Sequence, residues 1–518
     1  MPILLGSIIV FSTLARGAHD LWAAGIVYAM TAIGFSVLLL RGRLNLSFIP
    51  FLICLLAFFG VSFSHSVNPG ESLLGLLDWG AAGLIFLLAA HAFQDDAELT
   101  SFLKIIVPVF WVELVTTLIQ YKTAHPGMIE KWGTLVNANI LVSFLLLFLP
   151  VLICNFIQSR KLKDGLSWYW LSGLVAGLGA FATALSLWGW LCLLAGLPFL
   201  FGLDPLKKIY KRAPRFWWTA AIFAFGLVVF VIYKKLTHVY QWNVAELPAR
   251  SSWSRLSWWG SGWGMFRDHI WFGVGIGNYP SAFLAYKVGT GQNTLYAHSF
   301  AVGLLAETGI MGIIGLLGFL SFWFFKVISN WERVKSRRPF FLGILMLLFF
   351  GSINLSIEYL AVLLVLFIFL GITAAPALQS AWPVRKSIAL VFGLCCLTGL
   401  IFLLSIFMGS QNLVYGREKL QEGKIEEALT AFSSAAELDP LSFEAREGQA
   451  RALFFRYKAG GDKKVLAEAI RSQRGAIELN RLSGLLWEEL GIFLREAGQK
   501  QESSEALKIA DRLSGRGG

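Results

Sequence analysis

The chain has 518 residues, 56% of them hydrophobic and only 15% charged, with a mean hydropathy of +0.64. A soluble globular chain is about a quarter charged, so this composition excludes an ordinary water-soluble enzyme and indicates a bilayer as solvent. The net charge is +12, but the basic residues lie between apolar runs, where they act as topology signals rather than as a nucleic-acid face.

Apolar runs predict spans near 2–15, 20–40, 46–64, 72–93, 101–121, 135–157, 168–182, 184–201, 216–233, 297–325, 340–357, 359–376 and 387–408. Most approach the ~20 residues that cross ~30 Å of hydrocarbon. The first run is short and the pairs at 168–201 and 340–376 are cramped. The N-terminus lacks the basic start and small-residue cleavage site of a secretory signal and reads as the first span. All five cysteines, Cys54, Cys154, Cys192, Cys395 and Cys396, lie in apolar segments without metal-ligand spacing and offer no disulfide framework.

Basic residues set the expected orientation. With a cytoplasmic N-terminus, the inside loops hold Arg41/Arg43, Arg160/Lys161/Lys163, Lys207/Lys208/Lys211/Arg212/Arg215, Arg333/Lys335/Arg337/Arg338 and Arg385/Lys386. The short outside loops hold only Arg16, Lys122 and Lys131. This is the positive-inside pattern. It places a long loop at 234–296 and the tail beyond Ser410 on the outside.

From Val414 the chain becomes polar and helical. Gly423 to Pro440 carries Ala428, Phe432, Ala435 and Leu438 at helical spacing and stops at Asp439-Pro440. This resembles a tetratricopeptide repeat. A second copy runs from Ala467 to Asn480 and a third lies near 482–512. The ends at Leu438 and Leu479 are 41 residues apart, which predicts an insertion around Gly460-Gly461-Asp462. Such stacks commonly present a protein-binding groove. The expected architecture is therefore all-α: a polytopic membrane bundle of about 12–13 spans with a soluble α-α repeat domain. The domains are 1–233 (spans), 234–296 (long periplasmic loop), 297–410 (spans) and 411–518 (repeats).

The densest set of polar groups lies in the long outer segment and the helix after it. It comprises Arg250-Ser-Ser-Trp253-Ser-Arg255-Leu-Ser-Trp258-Trp259, then Arg267-Asp268-His269, then Gly273-Val-Gly275-Ile-Gly277-Asn278-Tyr279, and finally His298 with Glu307, Gly309 and Gly312. Arginines beside tryptophans at a membrane surface suit an anionic lipid phosphate. The glycine cluster permits a tight turn and close backbone approach. Gly273 to Gly277 does not follow a strand, so a dinucleotide loop is not indicated.

These residues resemble the signature region of the O-antigen ligase and polymerase superfamily: R-x-x-x-W, then D-H-x-x-x-G-x-G-x-G-N-[FY], then His298 with Glu307, Gly309 and Gly312 downstream. Gly133-Thr-Leu-Val-Asn137-Ala-Asn139 is similar to the family's G-T-x-x-N-P-N element, and C-terminal tetratricopeptide extensions occur among its members. The departures are Ser299 for the family's usual Asn, Ile270 for Pro, Ala138 for Pro, and Ser186-Leu187 for its Ser-Arg. The resemblance implies a glycosyltransferase-C-like bundle that joins a glycan on polyprenyl pyrophosphate to a lipid, glycan or protein acceptor, with no metal and no cofactor. It implies a phosphate-binding role for Arg255, with Arg250, and a base or acceptor-orienting role for His298. Asn139, Trp259 and Asn278 are candidate substrate contacts. Glu307 lies nine residues beyond His298, ~13.5 Å along a helix, and takes a supporting role with Asp268, Gly273, Gly275 and Gly277. The alternative is a non-catalytic anchor whose outward repeat domain recruits envelope proteins. A transporter is disfavoured because no internal span repeat is visible.

Overall fold

The computed structural model describes residues 1–123, 131–201, 252–289, 293–378 and 382–514. The expected span at 216–233, the basic cluster at 207–215 expected on the cytoplasmic side, and Arg250 lie outside the described residues. The chain is an all-α, multi-pass membrane protein. Seven described helices are long and apolar enough to cross a membrane, and Pro2–Leu14, Ile49–Ser64 and Leu187–Leu200 are shorter apolar helices.

In chain order the bundle comprises α1 (Pro2–Leu14), α2 (Leu21–Leu40), α3 (Ile49–Ser64), α4 (Pro69–Ala92), α5 (Asp96–Thr123), α6 (Ala138–Leu162), α7 (Ser167–Thr183) and α8 (Leu187–Phe201). After the undescribed stretch come α9 (Ser252–Asp268), the short α10 (Tyr279–Phe283), α11 (Phe300–Ser329), α12 (Arg338–Gly351), α13 (Leu360–Ala374) and α14 (Lys386–Gln421). Helices α6 and α13 are apolar on every side, and their residues form the centre of the core. That is the pattern of helices enclosed by other helices rather than facing lipid.

Contacts between loops define two ends of the bundle. At one, Arg43 and Leu44 pair with Pro383 and Trp382 in a two-residue ladder, and the Asn45 amide donates to His91 Nε2 at 2.8 Å. There, too, the buried Arg337 guanidinium pairs with Asp96 at 2.8 Å. At the other end, His19 stacks on Tyr359, Thr134 Oγ1 donates to the Thr13 carbonyl, and the Val67 amide donates to the Val274 carbonyl. The candidate site lies at this second end.

Three boundaries differ from the expected spans. Residues 352–359 are a non-helical loop rather than the end of a span: Asn354, Ser356 and Glu358 alternate with apolar residues, Asn354 accepts from Arg255, and the Ser356 amide donates to the Glu358 carboxylate. The helix beginning at Phe300 is broken at Gly309, where φ is +62° and ψ −162°. Finally, α14 runs to Gln421 without interruption, so the last span and the start of the C-terminal domain are one helix.

That domain continues as α15 (Ile425–Leu438), α16 (Phe443–Gly460), α17 (Lys463–Leu479), α18 (Gly484–Glu496) and α19 (Lys500–Leu513). Consecutive helices pack as antiparallel hairpins around Ala450, Leu466, Ala469, Leu486, Leu490 and Phe493. The Gly460-Gly461-Asp462 stretch is a turn: Gly461 ends α16 in the left-handed conformation and Asp462 caps α17. The long interval between Leu438 and Leu479 is taken up by helices of 18 and 17 residues.

Candidate functional site

The site is built on the break in α11. A break inside a membrane helix exposes backbone groups that lipid cannot satisfy, so another segment must satisfy them. Here residues 270–275 do so. The Val274 and Gly275 amides donate to the Ala306 and Glu307 carbonyls, each at 3.0 Å, and the Ile310 amide donates to the Ile270 carbonyl at 2.9 Å. From α3, Ser62 Oγ donates to the Phe272 and Glu307 carbonyls. Gly273 is required by this close approach: its φ is +67°, and a Cβ there would lie 2.2 Å from the Glu307 carbonyl carbon. Gly275 and Gly277 also have positive φ and lie against Ser66 and Glu71. Asn278 is fully buried, and its Nδ2 donates to Ser66 Oγ at 2.7 Å and Ser72 Oγ at 2.6 Å. Its Nδ2 thereby joins this loop to the α3–α4 turn, while its Oδ1 is buried without a hydrogen-bond partner.

His298 stands immediately before α11, with Ser299 as the N-cap accepting from the Val302 amide. Serine thus does the capping that asparagine does equally well. Asn137 caps α6, accepting from the Asn139 amide at 2.8 Å, and Ser186 accepts from the Gly189 amide at the start of α8. Asn137, Ser186 and Ser299 therefore act as helix caps. Asn139 lies in the first turn of α6, half-buried.

Arg255 and His298 are brought together. The imidazole stacks on Trp258 with ring centroids 4.5 Å apart at 26°. Burial, and then the neighbouring Arg255 guanidinium, push its pKa down to about 4. The ring is therefore neutral near pH 7. Arg255 Nη1 donates to the Ile353 carbonyl at 3.1 Å and Nη2 to Asn354 Oδ1 at 3.0 Å, so α9 is latched to the 352–359 loop. Trp258, not Trp259, provides the stack; the Trp259 indole N–H is buried without a hydrogen-bond partner. Asp268 is exposed, 3.6 Å from Arg267, and His269 lies 3.3 Å from the Tyr286 hydroxyl. Those three neighbours thus interact within their own loop.

A cavity of about 100 Å³ is lined by residues that include Asp78, Trp79, Tyr296, Ala297, Glu307 and Glu358, so the chain reaches it at the residue before His298. Glu307 Oε1 accepts from the Tyr279 amide at 3.0 Å, which ties the broken helix to the start of α10. Glu358 was not among the candidates. Its signal is a lone carboxylate between two apolar runs, in Asn354-Leu-Ser-Ile-Glu358-Tyr. No group of three or more His, Cys, Asp or Glu placed to hold a metal occurs among the described residues.

Residues 172–317 match the O-antigen ligase family model. The matched stretch contains Arg255, Trp258, the glycine cluster, His298 and Glu307, and so covers the broken helix with the segment that repairs it. Its similarity to O-antigen ligases supports an O-antigen ligase relationship and a membrane setting for the site. Asn139 and Glu358 lie outside the matched segment. No curated protein matches the chain.

The C-terminal domain reaches the same end of the bundle. Arg481 Nη2 donates to the Ser66 carbonyl at 2.9 Å, and Leu482 packs on the cluster formed by Val67, Met265, Val274 and Tyr279. Ser405 Oγ donates to the Leu438 carbonyl at 2.7 Å. The helical domain is thus seated beside the loop that carries the site.

Proposed function

We propose that this chain transfers or polymerises a glycan carried on polyprenyl pyrophosphate, moving it to an acceptor hydroxyl at the periplasmic face of the bacterial inner membrane. The observation that carries this reading is the convergence of Arg255 and His298 around Trp258 at one end of a membrane bundle. The guanidinium would hold the diphosphate and stabilise the charge that develops on it as the glycosidic carbon departs. The N-terminus of α11 beside His298 adds a favourable dipole for the same anion. His298, uncharged at neutral pH, would accept a hydrogen bond from the acceptor or orient it. No step of this scheme requires a metal. The helical domain, which we read as tetratricopeptide-like, would lie in the periplasm and guide the acceptor or a protein partner toward the site.

Comparing lipid-linked and transferred glycan in a strain lacking the chain tests this. Accumulation of the lipid-linked form, reversed by the wild type but not by Arg255→Ala or His298→Ala, is the expected result. Normal surface glycan with both variants would remove the enzymatic reading.

A further inference from the structure

We infer that Glu358 is the general base of the transfer, taking the proton from the attacking hydroxyl in the cavity that it lines with Ala297 and Glu307. This rests on the glycan-transfer reading above and names the group that acts on the acceptor side.

Three carboxylates line the cavity, and two are already engaged. Asp78 Oδ1 accepts from the Tyr28 hydroxyl at 2.5 Å, and Glu307 Oε1 from the Tyr279 amide at 3.0 Å. Glu358 is held through Oε2 by the Ser356 amide at 2.8 Å, while its Oε1 is buried with no hydrogen-bond partner. An idle acceptor of this kind costs stability and calls for an explanation, which a hydroxyl donor entering the cavity would supply. A water needs only about 10–15 Å³ of such space, so about 100 Å³ admits a hydroxyl-bearing edge of a sugar. Trp79 and Tyr296 also line it.

The placement fits the chemistry. A base and a phosphate-holding cation stand on opposite sides of the anomeric carbon in a displacement, so they should share a scaffold without touching. Glu358 belongs to the loop whose Ile353 and Asn354 hold Arg255. The acceptor oxygen forms the new bond to the anomeric carbon. The carbon–oxygen bond to the diphosphate breaks with its electron pair leaving on the polyprenyl diphosphate, and the hydroxyl proton passes to Glu358 Oε1. Burial raises the proton affinity of this carboxylate, to a pKa of about 7, whereas His298 sits at about 4. Near neutral pH the carboxylate is the better matched acceptor of a proton.

The experiment uses the purified full chain added to membranes of a strain lacking it, which supply the lipid-linked glycan and its acceptor. The probe for donor binding is polyprenyl diphosphate alone. We expect Glu358→Gln to keep a cooperative thermal transition and its binding of the probe while transfer falls about 100-fold. We expect added formate to restore transfer to Glu358→Ala but not to Arg255→Ala. An inactive wild type would overturn the transfer reading, and the base with it. An active wild type with Glu358→Gln at a similar rate would overturn the base alone. Loss of probe binding or of folding in Glu358→Gln, or no formate rescue of a folded Glu358→Ala, would make the residue structural and equally overturn its role as base.

Discussion

Arg255 and Asn354, 99 residues apart in sequence, meet through a 3.0 Å hydrogen bond from Nη2 to Oδ1. The bond ties α9, within the 234–296 segment, to the loop between α12 and α13. It makes the position of the guanidinium depend on a side chain far outside the motif that contains it. Removing the charge and removing the tether should therefore have separable effects. Arg255→Ala should lower transfer about 100- to 1,000-fold, the scale of lost charge stabilisation at a leaving group. Asn354→Ala keeps the charge and should cost about tenfold, equivalent to ~1.4 kcal/mol. Both are read by transfer rate at equal protein insertion.

The same guanidinium acts on His298. Burial is the larger cause of the depressed imidazole pKa, and Arg255 the second. Arg255→Gln should thus raise that pKa from about 4 without returning it to the ordinary histidine value. The pH dependence of diethyl pyrocarbonate modification at His298 measures this. The depressed value also means that the unfolded chain binds more protons than the folded one in this window. His298's contribution to stability is complete above its ordinary value and is lost as pH falls through about 4.

Gly273 and Gly289 both have positive φ, but only Gly273 is pressed against another backbone, whereas nothing lies within 4 Å of a Cβ at Gly289. Gly289→Ala should cost about 1 kcal/mol, for the backbone conformation alone. Gly273→Ala should cost at least ~3 kcal/mol, because the loop must withdraw from the broken helix and leave its carbonyls unsatisfied. Thermal unfolding in detergent distinguishes the two.

Hydropathy made the bundle legible because lipid solvation acts on every residue of a span, and described helices such as α2, α4 and α6 closely follow the apolar runs. The three glycines and His298 were legible because their spacing is local. What stayed hidden depends on pairing across the chain. A continuous apolar run conceals the break at Gly309, since the segment that repairs it lies some 40 residues earlier. The burial of Asn278 was hidden because its partners, Ser66 and Ser72, are more than 200 residues away. Trp258 and Trp259 are adjacent indoles, and only the turn of α9 decides which meets His298. Glu358 was lost in the boundary of two cramped runs.

The Arg481 contact gives a prediction about the helical domain. Its guanidinium donates to the Ser66 carbonyl, in the turn whose Val67 amide holds Val274. Arg481→Ala should leave membrane insertion unchanged and make the domain easier to release by limited proteolysis. Truncation after Asn412 should likewise spare insertion but weaken acceptor selection. Complete loss of stable protein on truncation would show that the membrane bundle depends on the domain for its folding.

The pH dependence of Glu358 separates chemistry from unfolding. Burial raises its pKa from 4.5 to about 7, so as a base it is increasingly protonated below that value. Transfer should fall about tenfold per pH unit there, and this limb should be absent from the residual activity of Glu358→Gln. Asp78 and Glu307 share the cavity, and Tyr296 and Tyr359 interact electrostatically with Glu358. The comparison between wild type and Glu358→Gln isolates the one carboxylate from these neighbours. Stability should move the other way. Because the folded chain holds this proton more tightly than the unfolded chain, the wild type should lose stability relative to Glu358→Gln as pH rises from 4.5 to about 7. Activity that rises across the interval in which relative stability falls cannot come from refolding of a destabilised protein, and it would assign the limb to proton transfer.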